Sequence, residues 1–382
     1  MFRNPFSDKE LARRVAAVRA EMAARDIDIA VLSAPESVFY LTGLDHWGYF
    51  APHHLIVPAD GGMVLVTRAM ERVTIENQVR NARFSGHGDS VTPASHLAQE
   101  LAALKGRRLG FEVNSNGLTF AAGREVVATL GLTDWDDITT LTHTLRLVKS
   151  DEEQALMRAA AKASDAGTLA AIAAIHDGAA EAEVAAECTA AMIRAGSNPP
   201  GFGPFIRPEH RIAEEHTTWG DGTYKAGGRV MLELAGCVSR YHAPMGRLIH
   251  IGQIRDEDAA MAEISKRAFE ASLNGLRPGR KAREVYADWQ AVVDDAGMPQ
   301  YRRHHCGYLV GLGMAPSWTG GNSVTGLRHD SDLELRKGMT FHLLSWFTET
   351  GRGDYFVSNT ALLGANGPEL LTKAPMGPTV VR

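Results

Sequence analysis

The sequence predicts two domains: an α/β layer architecture over residues 1–145 and an α+β domain over residues 146–382. Three observations carry this reading. Short β-branched runs alternate with helical stretches through the first third of the chain. A capping box, Ser150 followed by Glu153, opens a long Ala-rich helix directly after the apolar and basic stretch 145–149, which marks the boundary. Beyond that helix, stretches of helix give way to strand runs, a pattern that favours antiparallel pairing.

The elements follow in order. Ser7 caps a helix over 8–25, with Leu11, Val15, Val18 and Met22 on one face. The β-branched run 27–32 is a buried strand, and Pro35 ends it. Strands are expected at 54–57, 62–67 and 108–110, and helices at 94–104 and 119–130. The capped helix runs to about 174 and a second covers 181–195, before a Gly-, Pro-, Ser- and Asn-rich loop at 196–204. Strands at 230–234 and 247–251 are joined through 236–245. Helices cover 256–276 and 282–296, separated at Pro278-Gly279, and the chain returns to strands at 339–347 and 355–363. Gly311-Leu312-Gly313 and Gly320-Gly321 are turn or bend glycines, because no strand-to-helix phosphate fingerprint surrounds them.

Composition narrows the function classes. Of 382 residues, 45% are hydrophobic and 22% charged, ordinary for a globular protein able to bury a large core. A net charge of −5 without a basic tract argues against a nucleic-acid partner. No apolar run is long enough to span a membrane, and the N-terminal residues lack the apolar core of a secretion signal. Cys188, Cys237 and Cys306 are too scattered for a disulfide framework or zinc knuckle, which suits a reducing, cytoplasmic setting. His304 and His305 are adjacent, and neighbours on a strand point apart, so a shared ion is not expected.

One residue stands out on chemistry alone. Glu233 sits inside the apolar run Val230-Met231-Leu232-Glu233-Leu234, and a buried carboxylate is costly unless paired or protonated. The bland alternative is a strand-edge glutamate facing solvent. His216, without a family likeness, reads as a loop histidine bonded to backbone.

Three passages resemble the creatinase branch of the methionine-aminopeptidase superfamily. Residues 27–43 (IDIAVLSAPESVFYLTG) are similar to the creatinase-type N-terminal domain, and 145–153 to its interdomain linker. The C-terminal half resembles the pita-bread catalytic domain through His216, Glu233-Leu234-Ala235-Gly236, Arg247, the segment 307–311 and 335–341 (LRKGMTF). Metal-binding members supply two Asp, one His and two Glu to a pair of divalent ions. The resemblance places those positions at Glu233, Pro244, Tyr308, Leu344 and Ser358. Pro and Leu offer no donor, and neutral hydroxyls are poor substitutes for imidazole and carboxylate. The implied active site therefore contains no metal and no cofactor.

Within that superfamily the likeness is closer to the ectoine hydrolases. It is carried by His216-Thr217-Thr218-Trp219, Arg240-Tyr241-His242-Ala243-Pro244, Gly307-Tyr308, Met339-Thr340-Phe341-His342, and Leu41-Thr42-Gly43 with Trp47 and Tyr49. Ala315-Pro316-Ser317-Trp318 departs from the Pro-Pro-Asp-Trp pattern of that group. Gly246 and Leu344 stand where creatinase grips a guanidinium with carboxylates, which argues against creatine.

The resemblance implies hydrolysis of a small cyclic amidine, whose protonated carbon is electrophilic without a Lewis acid. Glu233 would attack that carbon or activate a water, and His216 would carry the proton. Tyr241, His242 and Tyr308 would line the cleft. Arg247 would either hold a substrate carboxylate or buttress the fold. A homodimer is implied, in which Trp47, Tyr49, His53 and His54 of one subunit cover the other's cleft and suit a small cation. The rival readings are an amidinohydrolase for another guanidino or N-acyl amino acid, a non-catalytic binding protein on the same scaffold, and a metallopeptidase.

Overall fold

The computed structural model describes residues 3–104, 108–321 and 324–382. Two compact units are found, Met1–Arg146 and Leu147–Arg382. Met1 and Phe2, part of the N-terminal stretch read above, lie outside the described residues.

The first unit begins with α1 (Asp8–Ala24), whose Ser7 cap accepts from the Glu10 backbone N–H at 3.1 Å. Strand β1 (Ile29–Leu32) ends before Pro35, but that proline also starts a helix not expected from sequence, α2 (Pro35–Thr42). Proline fits a first helical turn because its missing N–H is unbonded there anyway. The cap comes from far along the chain. The buried Glu112 carboxylate accepts from Ser33 N at 2.9 Å, Ala34 N at 2.7 Å and Ser37 Oγ at 2.6 Å. There follow β2 (His54–Pro58), β3 (Met63–Arg68), α3 (Arg72–Glu76), β4 (Ala82–His87) and α4 (Pro93–Ala102). The unit closes with β5 (Leu109–Phe111), α5 (Phe120–Leu130), β6 (Asp136–Asp137) and α6 (Thr140–Arg146). One mixed sheet, ordered β4-β3-β2-β1-β5-β6, holds these strands. Strand β4, ARFSGH, escaped prediction because its only large apolar side chain is Phe84.

The second unit opens with α7 (Asp151–Ala174), in which both halves of the Ser150/Glu153 capping box form. Then come α8 (Glu181–Arg194), β7 (Phe205–Pro208), β8 (Arg229–Val238), β9 (Tyr241–Ile251), α9 (Asp256–Gly275) and α10 (Ala282–Asp295). The remaining strands are β10 (Gly307–Leu309), β11 (Thr340–Phe347), β12 (Tyr355–Gly364), β13 (Gly367–Leu370) and β14 (Thr379–Val381). The main sheet runs β10-β11-β12-β9-β8-β7, with β13 on β12 and β14 on β9.

The β8–β9 hairpin corrects one expectation. Residues 236–245 are not a connection but continuous strand, reversed only at Ser239-Arg240, whose φ values are 46° and 66°. Two consecutive left-handed residues match the right-handed strand twist and keep the turn to two residues. The strands hid because both faces are covered, so no alternation of apolar and polar residues marks them. Gly236 is required by close approach: a Cβ there would stand 2.3 Å from the Ala160 carbonyl oxygen of α7. Ser164 of the same helix accepts from Gly236 N at 2.7 Å and donates to Ala243 O at 2.6 Å, pinning the hairpin.

Leu232, Leu234, Met245 and Ile249 pack with Ala171, Val184 and Cys188, so this face of the sheet is the helix-facing core. Truncating one of its leucines to alanine costs roughly 2–5 kcal/mol. Among the described residues no helix is long and apolar enough to cross a membrane.

Candidate active site

Because side chains alternate along a strand, Glu233 projects away from the face that Leu232 and Leu234 commit to the helices. Register then builds a row on that opposite face. Phe205 pairs with Glu233, Glu233 with Gly246, Gly246 with Ser358, and Ser358 with Leu344. One pair along, Tyr308 opposes His342.

Glu233 is 7% exposed. Burial pushes its carboxyl up to about 7, Glu215 adds to the shift and Arg207 opposes it. At neutral pH such a group exchanges a proton readily, which is what a general base requires. His216 is exposed and holds a left-handed backbone at φ 56°. Non-glycine residues in that region are uncommon and concentrate at functional sites. Its ring lies 5.9 Å from that of Phe205, the strand partner of Glu233, and 6.2 Å from Phe202. Trp318 completes this aromatic wall, edge-on to Phe202 at 4.7 Å and 5.7 Å from Phe205.

A hydrogen-bonded chain lies along the neighbouring strands. Trp318 Nε1 donates to Tyr308 Oη at 3.0 Å. Tyr308 Oη and His342 Nδ1 are 2.8 Å apart, and His342 Nε2 and Ser358 Oγ are 2.7 Å apart. Every group is satisfied when the phenol donates to Nδ1 and the Nε2 proton goes to Ser358. Burial raises Tyr308 far above, and lowers His342 far below, their ordinary ranges, so both remain neutral.

Of the two roles open to Arg247, its contacts match the buttress rather than the substrate carboxylate. It is fully buried, and all five of its N–H groups are used. Nε donates to Pro375 O, Nη1 to Gly246 O and Ser358 O, and Nη2 to Asn359 Oδ1 and Ala374 O. It buttresses the sheet. Tyr241 is likewise committed, its hydroxyl donating to Glu153 Oε1 at 2.7 Å, rather than lining a cleft. His242 is buried and held neutral, its pKa lowered by burial to about 4, and its Nε2 accepts from Gly201 N at 2.8 Å. It therefore positions the loop before Phe202.

In the first unit Trp47 is exposed, while Tyr49 Oη donates to Leu44 O at 3.0 Å. The rings of His46, Tyr49 and His53 pack at a tilt, their centroids within 4.9 Å of one another. His54 is buried against Ser33 Oγ at 2.8 Å and belongs to the core.

Sequence reasoning missed Phe205 and Arg207, because β7 is four residues long and ends in proline, a weak strand signal, and it missed Phe202 in the loop before that strand. It noticed Trp318 and His342 in matching segments but assigned them no role.

Residues 155–364 match metallopeptidase family M24, and residues 14–148 match the creatinase/prolidase N-terminal domain. The chain belongs to metallopeptidase family M24. Its fold is the creatinase-type N-terminal domain followed by the pita-bread catalytic domain. The ectoine hydrolase of Halomonas elongata is 26% identical to it, with 97% of each chain covered. The Xaa-Pro dipeptidase of Pyrococcus horikoshii is 23% identical over 91% of this chain and 93% of its own. The solved Xaa-Pro dipeptidase from Bacillus anthracis superposes with a TM-score of 0.85 at 20% identity, covering 97% of this chain and 100% of that one. This M24 chain is thus a member of a hydrolase family.

The M24 name implies metal, and the side chains at the five positions that the resemblance assigns to ligands do not fit a pair of divalent ions. Glu233 alone keeps a carboxylate. Pro244 and Leu344 have no donor, and the Tyr308 and Ser358 hydroxyls are engaged by His342. Among the described residues no group of three or more His, Cys, Asp or Glu is arranged to hold an ion.

Proposed function

We propose that this M24 chain is a metal-independent hydrolase that opens a small cyclic amidine, ectoine or a close relative, to an N-acyl diamino acid. The observation that carries the reading is Glu233: a single buried carboxylate, poised near 7, on a face whose other ligand positions are neutral. A protonated amidine brings its own positive charge. That charge favours the ionised form of Glu233 and makes the amidine carbon electrophilic without a Lewis acid.

In the reaction, Glu233 takes one proton from a water as its oxygen bonds to the amidine carbon. His216 then carries the hydroxyl proton of the tetrahedral species to one ring nitrogen. The carbon–nitrogen bond breaks with its electron pair on that nitrogen, leaving an amide. The proton held by Glu233 passes to the new amine, so protons and charge balance. The aromatic wall of Phe202, Phe205 and Trp318 limits water to the reacting one.

The same reading takes the enzyme as a cytoplasmic homodimer. Exposed Trp47 and Phe50 support a face that meets a second copy, and Cys188, Cys237 and Cys306 are buried free thiols. Ectoine and a Gly-Pro dipeptide, assayed side by side, test the proposal. Ring-opened product from ectoine, with the dipeptide intact, is expected; dipeptide cleavage with ectoine untouched would replace the proposal by a peptidase.

A further inference from the structure

Arg207 lies two residues beyond Phe205 on β7 and pairs with Met231, so it shares a face with Glu233 and stands diagonal to it. Such diagonal neighbours have Cβ atoms about 7–8 Å apart. The side chain is 1% exposed. Its Nη2 donates to the Met231 thioether at 2.9 Å, a weak acceptor. Nε and Nη1 are buried without any acceptor. Glu233, Glu215 and Glu214 reach it only through space, and burial lowers its pKa. A guanidinium removed from water and left without partners is destabilising, and a well-packed apolar side chain would serve the fold better. Arg247 provides the contrast within the same sheet: where the role is structural, all five N–H groups are bonded.

Two groups of opposite sign therefore share one face of the sheet at diagonal positions, one small molecule's length apart. We propose that Arg207 binds the carboxylate of a zwitterionic substrate whose cationic end sits at Glu233. This rests on the reading of Glu233 as the reacting centre. The ligand's anion is a singly charged carboxylate rather than a phosphate. Two guanidiniums, Arg207 and Arg211, stand among Glu233, Glu215 and Glu214, so a dianion would meet more negative than positive charge, whereas a zwitterion neutralises both ends. The side chain supplies substrate affinity and selection, and takes no part in proton transfer.

Calorimetric titration of the full-length protein with two probe pairs tests this. Each pair sets a zwitterion against its carboxylate-free counterpart: ectoine with 2-methyl-1,4,5,6-tetrahydropyrimidine, and creatine with methylguanidine. The wild type is expected to prefer the zwitterion of at least one pair by about 10- to 100-fold, the range of a charge-assisted hydrogen bond. Arg207→Met should erase that preference by weakening the zwitterion alone, and Arg207→Lys should restore part of it. The Tm of Arg207→Met should equal or exceed the wild type, because an unpaired buried charge is removed.

Equal weakening of both members of a pair, a lowered Tm, or no zwitterion preference in either pair would overturn the assignment. Product formation is read separately by NMR. An Arg207-dependent preference without ring opening would keep this inference and sink the hydrolase reading.

Discussion

Tyr308 and His342 oppose one another on neighbouring strands, with the phenol oxygen 2.8 Å from Nδ1. A phenol thus occupies the position that the resemblance assigns to a ligand imidazole, and its partner is a neutral histidine. The indole of Trp318 closes the chain at one end and the Ser358 hydroxyl at the other. The floor beside Glu233 is therefore polar, uncharged and satisfied.

Tyr308→Phe leaves Trp318 Nε1 and His342 Nδ1 buried without their partner, a loss of about 1–3 kcal/mol for each unsatisfied group. Urea unfolding should show a lower midpoint with an unchanged slope. Tyr308→His restores an imidazole but not the missing carboxylates, so elemental analysis should still find less than one bound divalent ion per chain.

Glu233→Gln separates stability from activity. The folded-state pKa is raised from an ordinary value near 4.5 to about 7. Between those values the folded protein binds more protons than the unfolded one, so Glu233 makes stability fall as pH rises through the window. Above pH 7 the ionised group costs roughly 3 kcal/mol relative to acid conditions. The glutamine variant should gain Tm over wild type at pH 8 and little at pH 5. Its kcat should fall by about 100-fold or more.

Several buried histidines push the other way. Burial lowers His242 and His250 to about 4 and His305 to about 3, and His342 lies well below its ordinary range. Below pH 6.5 the unfolded chain binds protons that the folded one refuses, so stability falls as pH drops from 6.5 towards 4. Burial lowers His53 to about 4 and His54 to about 3 as well, so six such histidines stand against two raised carboxylates, Glu233 and Glu112, and melting at pH 5 should occur below that at pH 7. His342→Gln should flatten the slope.

Arg247→Met removes the donors of five hydrogen bonds from a closed part of the sheet, while Arg247→Lys keeps the charge but not the fork. Both should be destabilised, by about 3 kcal/mol or more for the first. Substrate affinity of whatever folded protein remains should be unchanged, because the guanidinium faces carbonyls rather than a ligand.

Much of this was legible in the residues. Ser7 and Ser150 announce their helices because a cap is a local signal, read within three residues. Glu233 was legible because a carboxylate inside an apolar run has few structural excuses. Other features were not, for reasons of range. The role of Arg247 depends on carbonyls of Ser358, Ala374 and Pro375, more than a hundred residues away. The cap of α2 comes from Glu112. Arg207 sits on a strand too short to read, and its isolation is a fact about space rather than sequence.

The most direct test of the central claim is a proton NMR time course of ectoine with chelator-treated, folded protein. The account predicts ring-opened N-acetyl-diaminobutyrate at an undiminished rate, with turnover lost in Glu233→Gln and His216→Ala. Intact ectoine throughout, or turnover that returns only on adding a divalent metal, would contradict it.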